Sequence, residues 1–144
     1  MRASGVLRGD LIDTSALLAL VRERDPWHDA CFDALRGVTL PLVTTTAVLT
    51  ELFHLVLKRK RDQQAAWRML RNGRVQLRSM EQADLPGLEI LMDRYADRPM
   101  DFADVVHVAE REGLKTILTI DHDDFETYRI GRNAKFRILP ARTR

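Results

Sequence analysis

Cysteine is almost missing from this chain: Cys31 is the only one among 144 residues. No intrachain disulfide can form, which fits a reducing compartment. His28, His54, His107 and His122 make no close-spaced Cys/His set with it, so a zinc site of the usual kind is not expected. Long apolar runs are also lacking, and nothing approaches the roughly 20 residues of a membrane span. The start, "MRASGVLRGDLIDTSALLALV", comes nearest, but Asp10 and Asp13 interrupt it. It reads as a strand and a helix rather than a signal peptide, and a cytoplasmic location is expected. No Walker sequence, dinucleotide-type glycine pattern or "GxSxG" is present, so the common nucleotide-cradling and serine-nucleophile devices are excluded. There is no repeat, low-complexity segment or linker, and residues 1–144 are expected to form a single domain. A net charge of +2 is weak evidence for a polyanionic partner.

What is present is an ordinary globular mixture, 45% hydrophobic and 31% charged, long enough for one proper core. Short apolar stretches at Leu11–Asp13, "LPLVTT", Val75–Leu77, "TILTI" and "FRIL" read as strands. Helical patterns lie between them: Thr14 to Arg22, Pro26 to Gly37, "TAVLTELFHLVLKR", Asp62 to Arg71, Glu81 to Tyr95 and Asp101 to Arg111. Leu49, Leu52, Phe53 and Val56 share one stripe of the third helix. Gly37, Gly73, Gly113 and Gly131 punctuate turns and caps. Alternating strands and helices predict an α/β domain with a mainly parallel sheet of about five strands.

The acids carry the chemical information. Sites in open α/β sheets form beyond the carboxyl ends of the strands. Asp13 ends the first strand in "LIDTS", and Asp121 ends the fourth in "ILTIDHDDF". Glu51 lies in the first two turns of the helix after the second strand. Asp101 and Asp104 open the helix before the fourth strand, where free N–H groups favour anions. Each has a bland alternative. Asp13 and Asp101 can cap helices, Glu51 can face solvent, and Asp121 or Asp124 can cap a short turn at Phe125. Those alternatives work singly but do not explain why the acids gather at one edge. Hard oxygen ligands in a cluster suit Mg²⁺ or Mn²⁺, which polarise phosphoryl oxygens and activate water. His107, three residues from Asp104, could orient that acid or simply pack on its helix. Basic side chains at Lys58 to Arg61, Arg68, Arg71, Arg74 and Arg78, and in the tail at Arg132, Lys135, Arg137, Arg142 and Arg144, could form a rim for phosphates or merely face water.

Four stretches, "LIDTSALLALV", "TTTAVLTELFHLV", "PMDFADVVHVAEREG" and "ILTIDHDDF", resemble the PIN domain, and most of all the toxin ribonucleases of VapBC toxin–antitoxin systems. The resemblance runs from about Leu11 to Ile138. It implies a three-layer α/β/α fold and a metal-dependent endoribonuclease using Mg²⁺ or Mn²⁺. Carried over by position, the metal and catalytic acids would be Asp13, Glu51, Asp104 and Asp121, with Asp124 as a further ligand. Ser15 matches the family's small hydroxyl residue beside the metal, while Asp101 falls just outside the core pattern. The resemblance also implies an RNA substrate, a homodimer and a small antitoxin partner. Trp27, Phe32 and Trp67 are candidate surface hydrophobics for such contacts. A phosphatase, a DNA nuclease or a non-catalytic RNA-binding protein would share the same acid pattern.

Overall fold

The computed structural model describes residues 9–97 and 102–142. The first strand, β1 (Leu11–Ile12), is wholly buried, as its unbroken apolar sequence requires of a strand covered on both faces. Just before it, Gly9 lies so close to the loop ahead of β2 that a Cβ would sit 1.3 Å from the Pro41 carbonyl oxygen. Only glycine permits that approach. Helices α1 (Thr14–Val21) and α2 (His28–Ala34) follow, then β2 (Leu42–Thr45), α3 (Thr46–Leu55), α4 (Lys60–Arg71) and β3 (Val75–Arg78). The chain then returns through α5 (Leu85–Arg94) and α6 (Ala103–Glu112) to β4 (Thr116–Leu118). After α7 (His122–Thr127) come a small hairpin, β5 (Arg129–Ile130) and β6 (Ala134–Lys135), and the edge strand β7 (Arg137–Leu139).

The main sheet has the order β3-β2-β1-β4-β7 and is parallel throughout. Leu11 is the hub of its register, opposite Val43 on one side and Ile117 on the other. Parallel crossovers are right-handed, so α1 to α4, which serve the β1–β2–β3 half, cover one face. The return through α5 and α6 covers the other, completing a three-layer α/β/α domain. Its core is continuous, from Leu17 and Leu52 through the sheet to Val105, Phe125 and Tyr128.

The expected helices and strands are present, with informative differences. The helix expected from Glu81 begins as a 3₁₀ turn at Gln82–Asp84, and Pro86 stands in the first turn of α5, where its missing N–H costs nothing. The helix expected from Pro26 starts at His28 and ends in a 3₁₀ turn over Leu35–Gly37. Asp101 lies outside the described residues; the N-cap position of α6 is Phe102, which offers no capping side chain. Gly113 ends α6 in the left-handed region at φ 71°, the cap role expected of it. Among the described residues no helix is long and apolar enough to cross a membrane.

Candidate functional site

The strand order reverses between β1 and β4, where α1 departs to one face and the chain arrives from the other. This is the position at which open α/β sheets form a crevice beyond their carboxyl ends. Asp13 leaves β1 into that crevice and is completely buried. It does cap α1, accepting the Ala16 N–H at 3.2 Å through Oδ1. It does far more than cap. Ser15 donates its hydroxyl to Oδ1 at 2.8 Å, and Thr119, just beyond β4, donates to Oδ2 at 2.6 Å.

Those two hydroxyls are themselves oriented by the backbone. The Ile120 N–H donates to Ser15 Oγ at 3.1 Å, and the Asp121 N–H donates to Thr119 Oγ1 at 3.0 Å. A hydroxyl has one proton. Both protons point at Asp13, so the 3.2 Å contact between Ser15 and Thr119 carries no hydrogen bond while Asp13 is ionised. The β4–α7 turn therefore aims two polarised O–H groups at one carboxylate.

Despite these donors, burial pushes the Asp13 carboxyl up to about 7; Thr119 and Ser15 oppose the shift and the charge of Asp121 adds to it. Asp121 is also raised, by burial first, then by the charge of Asp124 against the opposing Ser15 hydroxyl, with Glu51 adding further. Asp121 is thus the electrostatic link between Asp13 on one side and Asp124 and Glu51 on the other. Asp121 occupies the N-cap position of α7 but makes no side-chain capping bond there, so the bland turn-cap role fails for it. No lysine or arginine among the described residues pairs with Asp13 or Asp121.

Asp104 arrives from the opposite layer, in the first turn of α6. Thr45, at the end of β2, donates its hydroxyl to Asp104 Oδ2 and accepts the Val48 N–H at 3.2 Å, capping α3 with the same oxygen. That ties Asp104 to the strand next to β1. Glu51 stands exposed in the second turn of α3. His107 does not orient Asp104. Its Nε2 lies 2.7 Å from Asp84, because the ring packs over Gly87 and toward the turn before α5. His122 is buried on Trp27 and within 2.9 Å of the Pro140 carbonyl, away from a catalytic role.

Among the described residues, no three His, Cys, Asp or Glu side chains are drawn together tightly enough to hold a metal ion as they stand. The donor chemistry nonetheless fits a hard divalent cation. Every candidate ligand is an oxygen, and burial and mutual repulsion raise the carboxyls of both Asp13 and Asp121, which an added cation would offset. Asp13, Asp104, Asp121, Asp124 and the exposed Glu51 are the carboxylates that would hold it.

Sequence reading overlooked Thr45 and Thr119. Thr45 closes β2 and Thr119 follows β4; both are fully or almost fully buried, and a hydroxyl in such a place needs a partner. That was the available signal. Of the expected basic rim, Arg78 is bound to Glu112 at 2.9 Å, and Arg142 is bound to Asp123 at 2.6 Å and to Glu126.

An acid crevice at the switch point of a small parallel α/β sheet defines a class of carboxylate-site α/β domains. Within it, the sequence profile of the PIN domain matches residues 11–131, and the chain belongs to the PIN domain family. It is 31% identical over 134 residues to ribonuclease VapC26 of Mycobacterium tuberculosis, covering 90% of this chain and 99% of that one. The protein is thus homologous to the VapC-family toxins of toxin–antitoxin systems. Solved structures share the fold at lower identity. The sarcin–ricin-loop-cleaving toxin VapC20 of M. tuberculosis has a TM-score of 0.66 at 19% identity, over 79% of this chain and 91% of that one. VapBC2 of Rickettsia felis, bound to a promoter DNA fragment, has a TM-score of 0.66 at 16% identity, over 89% and 96%. A toxin–antitoxin complex from Klebsiella pneumoniae has a TM-score of 0.64 at 15% identity, over 82% and 91%.

Proposed function

We propose that this protein is a metal-dependent endoribonuclease and the toxin of a toxin–antitoxin pair. The observation that carries the proposal is the wholly buried Asp13, fixed by two oriented hydroxyls beside the charge of Asp121, with no lysine or arginine among the described residues paired to either acid. Keeping such an arrangement is costly unless a positive ion completes it.

Asp13, Glu51, Asp104 and Asp121, with Asp124, would hold one or two Mg²⁺ or Mn²⁺ ions. A bound divalent ion supplies Lewis-acid chemistry at the phosphoryl group and a nucleophilic water at neutral pH. The protein's part is positioning. Ser15 and Thr119 keep Asp13 in one rotamer with its lone pairs directed, and Thr45 does the same for Asp104. His107 and His122 are engaged elsewhere and do not serve as the general acid. The leaving oxygen would then take its proton from water, giving a 5′-phosphate and a 3′-hydroxyl.

A homodimer and a small antitoxin complete the proposal. Phe32 and Trp67 are 63% and 49% exposed, which supports contact surfaces on α2 and α4, whereas Trp27 is half-buried against His122. A basic antitoxin side chain would find acids already arranged for a cation. The experiment is cleavage of single-stranded RNA, DNA and a small phosphoester by the wild type and Asp13→Asn, with the product of the neighbouring small gene titrated in. RNA-selective cleavage that disappears in the variant and on titration supports the proposal. Products unchanged in Asp13→Asn would point to a contaminant and leave the chain a binding protein.

A further inference from the structure

A second concave surface lies at the other end of the helical layer. The groove has a volume of about 680 Å³ and is lined by five arginines, Arg22, Arg24, Arg59, Arg61 and Arg68, against three acids, Glu23, Asp25 and Asp62. α1 runs from its N-cap Asp13 to its C-cap Arg22 here, about 13.5 Å along the helix axis at 1.5 Å per residue. α3 makes the same journey: it begins at Thr45 beside Asp104 and ends at Leu55, whose carbonyl accepts from Arg22 at 2.9 Å. Two helices thus connect the acid crevice to this groove.

The arginines outnumber the acids of the lining five to three. Arg22 is 3.5 Å from Asp62, but Arg24, Arg59, Arg61 and Arg68 have no ion-pair partner among the described residues. Their placement is also unfavourable for α4. Arg59, Lys60 and Arg61 crowd the positive end of a 12-residue helix, whose N-cap side chain makes no capping bond and whose first turn holds Asp62 as its acid. Cations belong at the other end of a helix. A local conflict of this kind is expected where function overrides stability. Any anion in the groove relieves it, and a row of guanidinium forks suits phosphate better than any other common anion. The lining contains no aromatic ring, so bases are not offered a stacking platform.

We propose that this arginine groove binds the phosphate backbone of the RNA a few nucleotides away from the bond cut in the acid crevice, without reading sequence. The inference rests on the ribonuclease reading for its substrate but not for its binding test. That test measures affinity for a long single-stranded RNA in chelator, where no cleavage interferes, across a series of salt concentrations. Arg61→Gln/Arg68→Gln is compared with Arg132→Gln, an exposed arginine on the β5–β6 hairpin, and thermal melting confirms that each variant is folded.

The groove variant should bind about tenfold more weakly, with the salt slope reduced by about 2, one for each lost phosphate contact. With metal restored, its KM should rise on the long RNA, kcat should hold, and a short oligonucleotide filling only the crevice should be cut as by the wild type. Equal effects from Arg132→Gln would reduce the groove to general electrostatics and overturn the proposal. So would unchanged RNA affinity together with lost binding of polyglutamate, which would assign the groove to an acidic protein segment. If the wild type cuts no RNA with any metal yet still binds it through Arg61 and Arg68, the ribonuclease reading fails and the groove stands.

Discussion

Asp13 is held at a cost. Its carboxylate is completely buried, its neighbour Asp121 is an acid that in turn feels the charges of Asp124 and Glu51, and its stabilisation comes from two hydroxyls and one N–H. Asp13→Asn should therefore abolish cleavage while stabilising the metal-free protein by about 1–2 kcal/mol at neutral pH. That gain is smaller than the carboxyl's full upward shift implies, because an amide forfeits one acceptor. Thermal unfolding in chelator and in Mg²⁺ checks it, and the advantage should shrink or reverse with metal present. Thr119→Val tests the positioning role. It removes the donor to Asp13 Oδ2 and the acceptor for the Asp121 N–H, and should lower metal affinity or activity by about 10- to 100-fold with the fold intact. Comparing cleavage rates with melting curves separates that outcome from simple unfolding. The acids were legible in the sequence because a carboxylate after a buried strand is conspicuous. Thr45 and Thr119 were not, because a threonine suits a strand on propensity alone.

α6 carries Asp104, and a charge network fixes where that helix sits. Asp84, in the turn before α5, accepts from the Glu81 N–H at 2.8 Å and from Arg111 at 2.9 Å, and lies 2.7 Å from His107 Nε2. Arg111 also binds Glu112 at 3.0 Å, which binds Arg78 on β3. The Glu81 N–H, then His107 and Arg111, hold the Asp84 carboxyl down at about 2. Its folded pKa lies below the ordinary carboxylate value, so its stabilisation is complete above about pH 4 and lost as pH falls through 2. Asp84→Asn should be less stable at neutral pH and lose less on acidification over that window, measured by acid unfolding curves. The network was hidden in the sequence because Asp84 is 27 residues from Arg111 and joins it only after α5 folds back. Similarly, β5 and β6, at two residues each, are too short for any period to reveal, whereas α3 and α6 announced themselves through their apolar stripes.

At the scale of the whole molecule, the topology explains the collection of acids. Only a strand order that reverses beside β1 brings the ends of β1 and β4 together, with α6 delivering Asp104 across the sheet to Thr45 on β2. The alternation of strands and helices implied a parallel sheet, but strand order is set by which apolar faces the helices cover, and no local pattern encodes it. On the proposed reading, this crevice is completed by a divalent cation and then hydrolyses RNA. The most direct measurement is the RNA cleavage rate of chelator-treated protein as Mg²⁺ or Mn²⁺ is titrated back, with bound metal quantified in the same samples. Cleavage should be absent in chelator and return saturably with either ion, in step with metal bound. Full cleavage by protein shown to contain no metal would contradict that reading.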